Sequence, residues 1–129
     1  MIELKNVTKK YGLNTAVKDL SVKIEDGEIV GFLGPNGAGK STTMNMMTGY
    51  ISTSSGSIEI NGYDILKDAD KAKKLIGYLP EIPPVYQDMT VYEYLKFATE
   101  LKKIKKKDRK EEILKAMESV QISDVRSAI

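Results

Sequence analysis

The stretch Gly34-Pro35-Asn36-Gly37-Ala38-Gly39-Lys40-Ser41-Thr42 constrains this chain more than any other part of it. It follows Ile29-Val30-Gly31-Phe32-Leu33, an apolar run without alternation, which suits a strand covered on both faces, as in the parallel sheet of an α/β fold. It runs into a segment from Lys40 to about Thr48 that reads as a helix, which Gly49 can terminate. The expected unit is therefore strand, glycine-rich turn, helix, and in that context the turn fits G-x-x-x-x-G-K-[ST], the pattern of a phosphate-binding loop. Glycine is needed because the chain must wrap round an anion with several backbone N–H groups turned inward, at angles that a Cβ opposes. The helix adds the partial positive charge of its N-terminus. Lys40 would reach the β- and γ-phosphates of a nucleotide as a point charge, Ser41 would offer its hydroxyl to Mg2+, and Thr42 a further hydroxyl or N–H to a phosphate.

The flanking sequence reads as a smaller antiparallel β element. Ile2, Leu4 and then Leu20, Val22 and Ile24 alternate with polar or charged neighbours, the period of strands buried on one face. Ser57-Ile58-Glu59-Ile60 alternates again and meets Asn61-Gly62, a pair that readily takes the positive φ angles of a hairpin turn. Asp68 to about Lys74 can form a short helix, and Leu75-Ile76-Gly77-Tyr78-Leu79 a second buried strand that Pro80 stops. Thr90-Val91-Tyr92-Glu93 has the spacing of a capping box and opens an amphipathic helix with Val91, Tyr94, Leu95, Ala98 and Leu101 near one face. A further helix is expected over Asp108 to Ser119. The expected division is residues 1–89 as a nucleotide-binding core with its antiparallel subdomain, and residues 90–129 as the start of a helical subdomain.

Composition removes other classes of chemistry. The 129 residues are 41% hydrophobic and 29% charged, the balance of an ordinary globular domain. Twenty basic and eighteen acidic side chains leave a formal charge of +2, well short of a general nucleic-acid binder, so no nucleic-acid partner is expected. With no cysteine and no histidine, the chain has no disulfide, thiolate metal site, cysteine nucleophile or histidine dyad. No apolar run approaches the roughly 18 residues of a membrane span, and the first residues lack a signal-peptide pattern, which reads as a cytoplasmic chain. The basic cluster from Lys102 to Lys110 interleaves with Asp108 and is followed by Glu111 and Glu112, so it reads as a solvated helix junction. Met44, Met46 and Met47 read as packing residues.

GPNGAGKST, following an Asp26-Gly27-Glu28 turn and a strand, resembles the Walker A segment of ABC transporter ATPases. That resemblance implies an α/β phosphate-loop NTPase fold: a parallel core sheet, a flanking antiparallel β subdomain and a partial helical subdomain. It implies ATP and Mg2+ as ligands, with Gly34, Pro35, Asn36, Gly37, Ala38, Gly39, Lys40, Ser41 and Thr42 as binding residues. Tyr11, in Val7-Thr8-Lys9-Lys10-Tyr11-Gly12, matches the aromatic residue that stacks on the adenine ring in that family. Stacking suits the task because a π-face grips a base without reading its identity. Ile76-Gly77-Tyr78-Leu79-Pro80-Glu81 resembles the family's Q-loop strand, with Glu81 where a glutamine normally contacts Mg2+ or the attacking water. A carboxylate can accept such a contact, but it carries negative charge towards phosphate and lacks the amide donors. Glu81 is therefore either a functional equivalent, catalytic beside Lys40 and metal-binding beside Ser41, or a loop glutamate with another role. Pro83, Pro84, Val85 and Tyr86 fall either near the docking surface for a membrane subunit or in a stiff connector. The Pro80-Glu81 form resembles subunits of exporters of the antibiotic-resistance and ABC-2 kind.

The resemblance covers about the first half of such an ATPase domain. No LSGGQ-like signature occurs, no four-residue apolar run leads into an Asp-Glu pair, and the switch histidine has no counterpart. Ile24-Glu25-Asp26 lies before the phosphate loop and reads as a turn, and Val125 to Ile129 read as an arbitrary stopping point. The expectation is an ATP-binding subunit that couples ATP binding and hydrolysis to transport. It would lie on the inner face of the cell membrane beside a transmembrane permease, as one half of a head-to-tail homodimer or heterodimer. The chain alone would be a nucleotide-binding or interaction fragment with weak binding and negligible turnover, because positioned charge and an oriented water supply most of the acceleration in phosphoryl transfer. Another phosphate-loop enzyme, such as a kinase, would need an arginine-rich lid, and Arg109 and Arg126 are the only arginines.

Overall fold

In the computed structural model, which describes residues 1–128, the alternating N-terminal segments form one four-stranded antiparallel sheet. Strand β1 (Ile2–Tyr11) pairs with β2 (Asn14–Ile24) on one edge and β3 (Ser55–Ile60) on the other, and β3 pairs with β4 (Tyr63–Asp64). Ile2 stands opposite Ile24 and Ile60, and Leu4 opposite Val22 and Ile58. The β3–β4 turn is the expected Asn61-Gly62 pair, with φ of 47° and 79°, the positive angles that a two-residue hairpin with the right-handed twist demands.

Strict alternation fails at several register shifts along β1, and the first of them, between Leu4 and Val7, builds the core. Leu4 and Val7 are both fully buried although they are three positions apart, an odd offset that alternation sends to opposite faces. A register shift between them restores the inward direction, and Asn6 sits at its centre with φ 48°. In the next register shift, between Val7 and Lys9, Asp19 of β2 also has positive φ, 47°, and its Oδ1 accepts a hydrogen bond from Asn6 Nδ2 at 3.0 Å. The amide of Asp19 in turn donates to Thr8 Oγ1 and the amide of Asn6 to Ser21 Oγ, so side chains replace ladder bonds that the two shifts remove. On β3 the bulge leaves room for glycine alone: a Cβ at Gly56 would stand 2.4 Å from the Asn6 carbonyl oxygen. Leu4, Val7, Val17, Ile58 and Ile60 then form one cluster with Met46, Ile65 and Ala72 from the elements beyond the sheet.

Helix α1 (Lys40–Met47) follows the glycine-rich turn. It ends as expected at Gly49, φ 70°, whose amide donates to Met46 O while that of Tyr50 donates to Asn45 O, the paired bonds of a Schellman ending. Met46 is buried and Met47 packs against the core, but Met44 is exposed and does no packing work of that kind. Helix α2 (Ala69–Lys74) buries Ala72 and is preceded by an Asx turn in which Asp64 Oδ1 accepts from the amides of Leu66 and Lys67.

Two expected strands of the parallel core sheet are not strands. Residues 29–33 and 75–79 have no regular secondary structure, and Ile29 and Leu33 are 102% and 93% exposed. Their apolar character is that of covered strands, but a strand needs neighbours about 4.8 Å away to take its backbone hydrogen bonds. Among the described residues, only β1 to β4 form a ladder.

The chain divides into two compact units, Met1–Tyr78 and a second beginning at Leu79. The segment before residue 90 belongs with the helices that follow, because Tyr86 packs edge-on against Phe97 and Tyr94 donates its hydroxyl to Pro84 O. Helix α3 (Val91–Leu101) opens on the expected capping box: Thr90 Oγ1 accepts from the Glu93 amide and the Glu93 carboxylate accepts from the Thr90 amide. Its buried stripe differs from the expected one, since Leu101 is exposed and Thr99 is buried with its hydroxyl on Lys96 O. Helix α4 (Arg109–Ser119) buries Ile113 and Met117.

The box makes a prediction for this unit. Bonds from the Thr90 amide and hydroxyl hold the Glu93 carboxyl below its ordinary pKa. A depressed carboxyl stabilises fully above the unfolded value of about 4.3 and loses that contribution as pH falls through the lower folded value. Thr90→Ala is expected to cost about 1 kcal/mol in urea unfolding at neutral pH. Because it removes the hydroxyl but keeps the amide, it should also flatten the acid limb of the stability profile.

Candidate functional site

The glycine-rich turn is clamped from two sides. Gly39, the residue before α1, has φ 87°, and a Cβ there would lie 2.4 Å from the Ala16 carbonyl oxygen and 3.0 Å from Val17 Cγ2. The loop can therefore lie against β2 only where the side chain is a hydrogen atom. Gly37, φ 82°, has open space where a Cβ would stand, so its need is conformational alone. Inside the loop the Ala38 amide donates to Pro35 O at 3.2 Å, closing a turn. Lys40 folds back over it, its ammonium donating to the carbonyls of Gly34 and of Pro35, the latter at 2.7 Å.

Helix α1 begins without a side-chain cap and has no acidic residue in its first turn. The first intrahelical bond is from the Thr43 amide to Gly39 O, 2.9 Å, and Thr43 Oγ1 reinforces it at 2.8 Å. The amides of Lys40, Ser41 and Thr42 therefore have no intrahelical acceptor, and they gather at the positive end of the helix dipole. They open on a pocket of about 270 Å3 lined by Asn14, Thr15 and Ala16 of β2 and by Asn36, Gly37, Gly39, Lys40, Ser41 and Thr42. The lining holds no acidic side chain. An anion can thus be met by backbone amides, one ammonium and the hydroxyls of Thr15, Ser41 and Thr42, while no acidic side chain of the lining opposes it.

Of the residues singled out from sequence, Asn36, Gly37, Gly39, Lys40, Ser41 and Thr42 come together at this pocket, and Gly34, Pro35 and Ala38 shape it from within the loop. Tyr11 ends β1 opposite Asn14 across a two-residue turn in which Gly12 takes the positive φ, 57°. Its ring is half-exposed at the end of the strand pair that supplies the pocket's wall. Glu81 lies in the second unit, exposed in a bend. Among the described residues no group of three or more Asp, Glu, His or Cys gathers to hold a metal. A divalent cation bound mainly by nucleotide phosphates needs only one or two protein oxygens, which the Ser41 hydroxyl fits.

Sequence reasoning missed Asn14, Thr15 and Ala16. The signal was the Gly12-Leu13 turn: once Tyr11 is opposite Asn14, the first residues of β2 run back along β1 from that turn. The pattern of alternation began only at Leu20 and gave that stretch no weight.

Residues 17–129 match the family model described as "ABC transporter". The chain is 44% identical over 97 residues to the linearmycin resistance ATP-binding protein LnrL of Bacillus subtilis (strain 168), covering 75% of this chain and 31% of that protein. It is 37% identical over 129 residues to the lipopolysaccharide export system ATP-binding protein LptB of Haemophilus influenzae, covering 98% and 54%. The chain thus spans from about a third to about half of these curated relatives' length. Among solved structures it resembles an ATP binding subunit of an ABC transporter with a TM-score of 0.85 and 26% identity, covering all of this chain and 54% of that one. Among the described residues no helix is long and apolar enough to cross a membrane.

Proposed function

The chain belongs to the ABC transporter family, and on that premise we propose that its glycine-rich loop seats the β- and γ-phosphates of Mg-ATP in a subunit that powers transport across a membrane. The observation that carries the proposal is the uncapped start of α1 behind a loop held open by Gly39, with Lys40 at its mouth and no acidic side chain in the pocket. In this reading Lys40 exchanges its two carbonyl partners for phosphate oxygens, Ser41 offers its hydroxyl to the cation, Thr42 and the loop amides hold phosphate, and Tyr11 stacks on adenine. Bound Mg2+ would neutralise phosphate charge there.

In the whole protein the subunit would lie against the inner face of the membrane, bind a permease and pair head-to-tail with a second ATP-binding domain. The names of two relatives, a linearmycin resistance protein and a lipopolysaccharide export protein, support export as the direction. Glu81 is proposed as the Q-loop counterpart, accepting a contact from the cation or the attacking water. For these 129 residues alone, binding without turnover is the favoured reading, because the sequence holds neither an LSGGQ-like signature nor an Asp-Glu pair after an apolar run.

Calorimetric titration of the folded chain tests this reading. Saturable binding of Mg-ATP is expected, weakened several-fold by Ser41→Ala and by chelation of Mg2+, with phosphate release at the buffer background. Absence of binding by a chain shown to be folded would contradict the proposal for this part of the protein.

A further inference from the structure

The base-stacking role proposed for Tyr11 leaves open what holds a half-exposed ring at a strand end in one orientation, and Lys9 supplies an answer. Its ammonium donates to the Ser52 carbonyl at 2.7 Å and stands 5.2 Å from the centroid of the Tyr11 ring, over its face. Ser52 belongs to the loop that leaves α1, and the same loop grips β1 on both sides of Lys9: the Ser54 amide donates to Thr8 O at 2.8 Å and Ser54 Oγ accepts from the Lys10 amide at 2.9 Å. The loop thus fixes the strand, the Ser52 carbonyl fixes the ammonium, and the ammonium attracts one face of the ring through its quadrupole. Lys9 does not line the phosphate pocket.

We infer that Lys9 is a positioning residue for base recognition: its ammonium, anchored on Ser52, backs one face of Tyr11 and leaves the exposed part of the ring to a purine. The inference rests on the proposed adenine-stacking role of Tyr11. A ring already held in place loses little freedom when a base stacks on it, so the ammonium raises affinity for the base without touching the nucleotide. The phosphates, met by a different set of groups, are indifferent to it.

The test compares Mg-ATP with Mg-tripolyphosphate, which has the phosphates and no base, on the wild-type chain and on Lys9→Met, Lys9→Arg, Tyr11→Ala and the Lys9→Met/Tyr11→Ala double variant. Lys9→Met is expected to weaken Mg-ATP about threefold to tenfold and leave tripolyphosphate within about twofold, with Lys9→Arg close to wild type. Tyr11→Ala and the double variant should bind Mg-ATP equally, since Lys9 acts only through the ring. Equal losses for both ligands, additive losses in the double variant, or no loss in Lys9→Met would each overturn the inference while leaving the phosphate-loop reading standing. A folded wild-type chain that binds tripolyphosphate but gains nothing from the base would overturn the Tyr11 role and the Lys9 role together. A readout without nucleotide completes the test. Ring current should shift the Lys9 ε-methylene protons upfield in the wild type and not in Tyr11→Ala, and unshifted protons in the wild type would overturn the inference whatever the chain binds.

Discussion

Gly39→Ala is expected to destabilise the first unit by about 2–4 kcal/mol in urea unfolding and to remove nucleotide binding from whatever fraction remains folded. Two costs combine. The backbone at Gly39 has φ 87°, which a side chain resists, and the new Cβ would meet the Ala16 carbonyl oxygen at 2.4 Å, a backbone atom with no freedom to swing aside. Relief requires the loop to leave β2, which takes the amides of Lys40, Ser41 and Thr42 away from the wall formed by Asn14, Thr15 and Ala16. Two other glycines separate these costs. Gly37→Ala meets positive φ but no neighbour, and should cost about 1 kcal/mol. Gly56→Ala meets the carbonyl oxygens of Asn6 and Lys5 at 2.4 and 2.5 Å, so it should destabilise the sheet as strongly as Gly39→Ala while its folded fraction still binds.

Lys40→Ala should do the opposite: stability within about 1 kcal/mol of wild type, and Mg-ATP affinity lower by at least about tenfold, or 1.4 kcal/mol. Without ligand the Lys40 ammonium is satisfied by Gly34 O and Pro35 O in a site open to solvent, where such bonds add little net stability. With phosphate bound, it is the one side-chain cation among the groups lining the pocket, and its bonds become charge-assisted on both sides. Calorimetry beside urea unfolding reads both halves. A variant that unfolds readily and loses affinity in proportion would instead make Lys40 a strut of the loop.

Much of this was legible in the residues because local chemistry dictated it. Asn61-Gly62 had few conformations open to it other than a tight hairpin, Thr90 and Glu93 could cap only one another's turn, and the glycines between Leu33 and Lys40 announced a loop whose backbone must approach something closely. The rest depended on neighbours that no local pattern names. Ile29 to Leu33 and Leu75 to Leu79 carry the composition of covered strands, yet composition cannot supply the strands beside them. The bulge at Asn6 was hidden for a related reason, since its need arises from Val7 having to face the same core as Leu4, and its tolerance from Gly56 on another strand. The pocket wall from Asn14 to Ala16 carries no signature of its own and acquires a role only through register.

Whether this loop and helix start form a nucleotide-phosphate site is tested most directly by following the Mg-ATP titration through the backbone amide resonances of a 15N-labelled chain. The largest shifts are expected to fall on Gly37, Gly39, Lys40, Ser41 and Thr42 and to saturate together, with smaller shifts at Asn14, Thr15 and Ala16. Saturating shifts centred elsewhere, or none in that loop at concentrations that saturate the calorimetric signal, would contradict that assignment.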